Sequence, residues 1–265
     1  LSDQRELIIE EHEGFCTITI SREEKRNAVT PGLLLDLTSQ IKRMEREGTA
    51  RCIIIRGAGD KAFSSGYDIS AIGEQRHEML RDYHPEHPLI QANRAIEDFP
   101  YPVIAMINGH ALGAGLEIAV TCDLRISAEH ALFGMPPAKL GIIYPYSGIR
   151  RFLNLIGTGY TKELFLTGRT MDAHKAHAIG LVNYVIAKEE LEDFTKSLAS
   201  EIASNAPLSM KTMKYMINSW QRNQLMSCEE EERVKGLIIE VEESEDYLEG
   251  QRAFSERRKP RFKGK

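Results

Sequence analysis

Two short stretches of this chain, Cys-Ile-Ile-Ile at 52–55 and Val-Ile-Ala-Met-Ile at 103–107, are apolar at every position. Successive side chains of a strand point to opposite faces, so a strand that is apolar throughout has to be covered on both. The neighbouring segments supply that cover. Thr30-Pro31 has the form of a helix start, with threonine as N-cap and proline at the first helical position. Leu33, Leu37, Ile41 and Met44 then recur at steps of three and four, giving one apolar helix face to about residue 47. Residues 89–98 carry a second helical pattern, which Phe99-Pro-Tyr-Pro102 breaks. Further strands are expected at 7–10, 15–20, 123–127 and 181–186. Helices are expected at 151–156, 160–167, 172–178, 188–204, 207–219 and 227–256. Strands and helices alternate to about residue 190 and helices alone follow. That layout is α/β, with a core over residues 1–200 and a helical C-terminal region over 201–265.

Composition narrows the function classes. With 265 residues, 42% of them hydrophobic, the chain can bury a core without staples. The four cysteines, Cys16, Cys52, Cys122 and Cys228, are far apart and form no CxxC, so they read as buried thiols of a reducing compartment. A net charge of −5 gives no pull towards nucleic acid, and no apolar run approaches the roughly 18 residues of a membrane span. The first ten residues are charged, so no secretory signal is expected, and cytoplasm or an organelle matrix fits. Charge is uneven: residues 252–265 hold seven basic side chains against Glu256, a tail of +6 on a body of −11. Such a tail is either a solvated terminus or an anchor for a phosphate-bearing ligand or a neighbouring subunit.

Several chemistries fail on the residues. His174/His177 and His84/His87 have no third ligand at metal spacing, and no metal is expected. There is no G-x-S-x-G elbow and no Walker phosphate loop. Gly109, Gly113 and Gly115 precede a helix as in a dinucleotide site, but Ile118 stands where the third glycine belongs. What remains is two glycine-flanked loops after buried strands, one at Gly66 and one at Gly113–Gly115. Such loops can aim two backbone N–H groups at one oxygen, and the second also opens a helix whose N-terminus is partially positive.

Phe63-Ser-Ser-Gly-Tyr-Asp-Ile69 and Ile107-Asn-Gly-His-Ala-Leu-Gly-Ala-Gly-Leu-Glu117 resemble the two oxyanion-hole motifs of the enoyl-CoA hydratase/isomerase (crotonase) family. Asn27-Ala-Val29, Glu245-Asp-Tyr-Leu-Glu-Gly250 and Phe254-Ser-Glu-Arg-Arg-Lys-Pro260 are similar to that family's two ends, so the resemblance runs the length of the chain. It implies a spiral of ββα turns with a helical C-terminal trimerisation region, a homo-trimer or hexamer, and an acyl-CoA substrate. No cofactor is implied beyond the coenzyme A of that substrate. The thioester oxygen would sit between the N–H groups of Tyr67 and Ala114. Ala28, Ser65, Gly66, Asp68, Ile69 and Gly113 would contact the CoA ester, and Phe254 and Arg257 its nucleotide.

Hydratases of the family pair two glutamates. Glu117 matches the first, but Pro137 stands where the second belongs, and Tyr144 replaces a usual proline. Pro137, Tyr144 and the run Leu140-Gly-Ile-Ile-Tyr-Pro-Tyr-Ser-Gly148 resemble the methylmalonyl-CoA decarboxylase branch, which has histidine where this chain has Tyr67. The resemblance thus implies decarboxylation of a short malonyl-type CoA ester, with Tyr144 orienting the carboxylate. The alternatives are an enoyl-CoA hydratase or isomerase working through Glu117 alone, and a non-catalytic acyl-CoA-binding module.

Overall fold

A computed structural model describes residues 6–68, 87–222 and 228–263. The expected strands form one six-stranded sheet. Its members are β1 (Leu7–Glu11), β2 (Cys16–Ile20), β3 (Ile53–Gly57), β5 (Val103–Ile107), β7 (Leu124–Ala128) and β10 (Tyr184–Ile186), side by side in that order. β1 and β2 are antiparallel and every later pairing is parallel. α1 (Pro31–Glu47) begins as its cap residues dictate: the Thr30 hydroxyl accepts the Leu33 N–H, and Gly48 closes the helix in the left-handed conformation. Its apolar face, Leu33, Leu37, Ile41 and Met44, is fully buried against one side of the sheet. α6 (Leu191–Ser204) belongs to the apolar cluster on the other side, where Leu191, Ala199 and Ile202 meet Cys52, Ile54, Ile104 and Met106. The two wholly apolar strands are therefore covered on both faces.

A second sheet departs from the sequence expectation. β4 (Ala62–Ser64), β6 (His110–Leu112), β8 (Leu132–Gly134) and β9 (Thr170–Asp172) form it in that order, three residues each. The loop expected at 63–68 and the glycine-rich turn expected from 108 thus each include residues of a strand. Winding alternates between the sheets: β3 and β4 lead to α2 (Pro88–Asp98), β5 and β6 to α3 (Ala114–Thr121), β7 and β8 to α4 (Tyr146–Thr167). This is the expected ββα spiral. α4 joins the two helices expected at 151–156 and 160–167 across a kink at Gly157, where φ is 71°. α5 (Ala173–Ala178) precedes β10. After α6 come α7 (Pro207–Arg222), α8 (Cys228–Glu242) and α9 (Glu245–Ser255). One helix over 227–256 was expected; Ser244 breaks it by capping the Tyr247 N–H with its hydroxyl. α9 turns back onto a 3₁₀ turn, Pro137–Leu140, and Gly250 is what lets it approach, since a Cβ there would lie 2.1 Å from the Leu140 carbonyl oxygen. Cys16, Cys52 and Cys122 are buried free thiols, as expected.

Candidate active site

β4 and β6 are parallel neighbours, so the loops that follow them emerge side by side. Gly66 makes their contact possible. Its φ is 94°, and a Cβ on it would lie 2.9 Å from the Leu112 carbonyl oxygen and 3.4 Å from the Ala114 nitrogen. Gly113, with φ 51°, turns the second loop into α3. Two asparagines brace the turns from behind. Asn108 donates to the carbonyls of Gly57 (2.9 Å) and Gly59 (2.6 Å) and accepts the Gly57 N–H (3.1 Å). Asn27 donates to the carbonyls of Ala58 (2.9 Å) and Ala62 (2.7 Å).

Where the loops meet, a cavity of about 140 Å³ opens, lined by Ser65, Gly66 and Tyr67 from the first loop, Gly113 from the second, and Ala114 and Glu117 from the first turn of α3. Tyr144, Pro136, Pro137, Leu89, Ile90, Met135 and Ile142 complete a largely apolar wall. Seven of the expected site residues thus share one cavity, together with Pro137, the residue expected at the place of a second glutamate. Backbone geometry also bears on the two N–H groups. Val29 donates to the Gly66 carbonyl and accepts the Asp68 N–H, both at 2.9 Å, which turns Tyr67's own N–H to the opposite edge. Ala114 is the first helical residue, and the N–H groups of a first turn have no acceptor within their helix.

Other expected residues stand elsewhere. Asp68 is buried behind the first loop, in an ion pair with Arg22 at 2.9 Å, and Arg22 also donates to the Ala28 carbonyl at 2.6 Å. Ala28 and Asp68 therefore form a joint behind the cavity rather than part of its wall. Ile69 lies outside the described residues. Phe254 and Arg257, on and just after α9, do not line the cavity, and Phe254 is half exposed.

Glu117 is 2% exposed and both of its oxygens are engaged. Oε1 accepts from Asn93 Nδ2 at 2.9 Å and from Arg151 at 3.0 Å, while Oε2 accepts the Tyr144 hydroxyl. Arg151 is in turn paired with Glu97 at 2.9 Å and donates to the Ser147 carbonyl. Burial pushes the Glu117 carboxyl above its ordinary value, and Glu97 adds to that. The Arg151 charge and the Tyr144 hydrogen bond pull down without prevailing. Burial works against the Arg151 charge, but Glu97 and Glu117 outweigh it and raise its pKa. Gly148 admits the Tyr144 ring, since a Cβ there would lie 2.6 Å from it, and Phe165 packs on that ring edge-on at 5.4 Å.

Sequence reasoning missed Arg151, Asn93, Glu97 and His87. Arg151 and Asn93 reach Glu117 from α4 and α2, and Glu97 of α2 pairs with Arg151, at spacings no local motif encodes. His87, weighed only as a metal ligand, caps α2: its Nδ1 accepts the Leu89 N–H at 3.3 Å, and its ring lies 5.9 Å from that of Tyr67 on the cavity wall. Among the described residues no three His, Cys, Asp or Glu side chains gather as metal ligands would. No described helix is long and apolar enough to cross a membrane.

The family model for enoyl-CoA hydratase/isomerase matches residues 10–265. Methylmalonyl-CoA decarboxylase of Escherichia coli (strain K12) is 37% identical over 250 residues, 94% of this chain and 94% of that protein. The structure of methylmalonyl-CoA decarboxylase complexed with 2S-carboxypropyl CoA has a TM-score of 0.91 at 34% identity, covering 100% of both chains. An enoyl-CoA hydratase from Bacillus anthracis, at 32% identity, has a TM-score of 0.77 over 98% of this chain and 100% of its own.

Proposed function

Because the chain belongs to the enoyl-CoA hydratase/isomerase (crotonase) family, we propose that it binds a CoA thioester in this cavity and decarboxylates a short malonyl-type ester such as methylmalonyl-CoA. The observation that carries the reading is the state of the one acid among the described cavity residues. Glu117 is held on both oxygens by Asn93, Arg151 and Tyr144, and the wall offers Pro137 where hydration needs a second carboxylate. Decarboxylation asks less of the protein. The bond between the α-carbon and the carboxylate breaks, its electron pair passes into the thioester carbonyl as an enolate, and CO₂ leaves. No proton is taken from carbon, and the α-carbon gains one afterwards.

The enolate oxygen would be stabilised by the N–H groups of Tyr67 and Ala114, fixed donors that need no reorganisation as charge develops. Tyr144 would hold the carboxylate out of the thioester plane, so that the breaking bond overlaps the carbonyl π system. The apolar wall favours losing that charge, and 140 Å³ suits a short acyl group. A catalytic reading is favoured over simple CoA binding by the presence of Glu117 and Tyr144 at the cavity.

The proposal extends to assembly. α7 leaves Leu208, Met213, Met216, Ile217 and Trp220 exposed along its length, and a trimer or hexamer of this chain would cover such a surface. The CoA nucleotide would then lie at Phe254 and Arg257 of the same or a neighbouring copy.

Purified protein incubated with a panel of CoA esters is expected to release CO₂ from methylmalonyl-CoA. Tyr144→Phe should lower that rate by one or more orders of magnitude, and Glu117→Gln by less. A hydratase or isomerase working through Glu117 alone would hydrate or isomerise an enoyl-CoA and invert that ranking, since general acid–base work is worth about 10²–10⁴. Rapid hydration without CO₂ release would end the decarboxylase reading.

A further inference from the structure

The tyrosine hydroxyl that the proposed reaction needs has a single proton, and in this structure it is given to Glu117. A carboxylate can only accept, so while Glu117 is ionised the bond has to run from Tyr144 to Glu117. A protonated Glu117 can donate to the tyrosine oxygen instead, which leaves the tyrosine proton for another acceptor across the cavity. What sits behind Glu117 therefore bears on what Tyr144 can offer a ligand.

The groups around Glu117 come from every element packed on it. α2 contributes the Asn93 amide and the Glu97 carboxylate, α4 contributes Arg151, and the preceding loop contributes Tyr144. Tyr67 and His87 stand on the cavity wall. Arg151 is the one cation of the set. It is 12% exposed and bridges two acids, with Nε on Glu97 at 2.9 Å and a terminal nitrogen on Glu117 at 3.0 Å. Asn93, fully buried, gives its N–H₂ to Glu117, while its Oδ1 has no partner among the described residues.

We propose that Arg151, with Glu97 beside it, is a positioning pair that decides which way the hydrogen bond between Tyr144 and Glu117 runs, and thereby whether the Tyr144 proton is available to a ligand carboxylate in the cavity. Arg151 favours the carboxylate and so ties the tyrosine proton up. Glu97 opposes Arg151 and favours the acid, which releases it. Burial acts in the same direction as Glu97, and the two together hold the Glu117 carboxyl above its ordinary value. Raising the pH through that raised value turns the bond towards Glu117 and weakens the hold on a ligand carboxylate. The ligand class is a CoA ester or analogue bearing a free carboxylate. The inference rests on the proposed function for its ligand and on the geometry around Glu117 for its mechanism.

The test is binding of 2-carboxypropyl-CoA against pH, beside infrared titration of the Glu117 carboxylic C=O band, identified by its loss in Glu117→Gln. In the wild-type protein affinity should fall as that band disappears. Arg151→Gln should move both midpoints up by about one pH unit or more, Glu97→Gln should move both down, and Arg151→Lys should stay near wild type. Opposite shifts from two neighbouring substitutions are not produced by loss of packing. Tyr144→Phe should bind weakly with no dependence on that midpoint. A Glu117 midpoint that stays put in folded Arg151→Gln and Glu97→Gln overturns the inference, as does affinity that ignores the midpoint or an analogue that fails to bind at any pH. If the analogue binds as expected while methylmalonyl-CoA yields no CO₂, the decarboxylase reading fails and this one stands.

Discussion

Glu117 shows how burial can prevail over an ion pair. Its carboxyl has an ordinary value of 4.5 in the unfolded chain and a raised one in the fold. The stability tied to that difference is present below the ordinary value and lost as pH rises through the raised one. Glu117→Gln removes the titration, so thermal melts taken at rising pH above that ordinary value should show a shallower decline in the variant. Equal slopes would contradict a raised Glu117 carboxyl. Ala114 gives a second residue-level expectation. It is the first helical position, where proline's fixed φ and missing N–H are tolerated, so Ala114→Pro removes the donor while keeping the helix start. Turnover should drop by about 10²–10³ with far-UV dichroism unchanged, whereas Ala114→Gly should keep most of it. Glu117, Ala114, Tyr67 and Tyr144 could be singled out because each lies in or beside a run that resembles a family motif, and the fold brings all four to one cavity. Arg151, Asn93 and Glu97 were not, because they converge only after α2 and α4 pack on α3.

The elements that could be read from sequence are those whose cover leaves a periodic trace: the apolar strands of the large sheet and the one-sided face of α1. The small sheet leaves none. A three-residue strand such as His110–Leu112 is too short to display alternation, and its glycine-rich flanks suggest a turn. Its pairing becomes visible only when Ala62 and Ser64 lie beside His110 and Ala111. The contact of α9 with the Pro137–Leu140 turn is equally non-local, and it yields a prediction. A Cβ at Gly250 would meet the Leu140 carbonyl, a backbone group that cannot rotate away. Gly250→Ala should therefore cost roughly 1–3 kcal/mol, the usual range for overpacking. Because the turn carries Pro137 and Leu140 into the cavity wall, activity should fall with it. An unchanged urea midpoint with unchanged turnover would show that α9 does not brace the turn.

On the scale of the whole molecule, the exposed row on α7 and the basic tail both point outward from a single chain. Sedimentation equilibrium should give three or six times the 29.9 kDa of one chain, and Trp220→Glu, a charge placed on that row, should lower it. A monomeric wild-type protein would contradict the proposed assembly. Arg257→Ala should raise KM for CoA esters, leave kcat nearly unchanged and reduce the salt dependence of binding; an unchanged KM removes the nucleotide role. One feature of the winding reaches further than any single site. The two loops that bound the cavity leave neighbouring strands of the small sheet, roughly 4.8 Å apart by the general spacing of paired strands. Their separation is thus a property of amide-to-carbonyl pairing, which is indifferent to most side chains. Tyr67, Pro137 and Tyr144 hang on that frame without setting its dimensions. Descendants of such a chain can exchange those three residues, and with them the shape and chemistry of the cavity wall, while inheriting the frame unaltered.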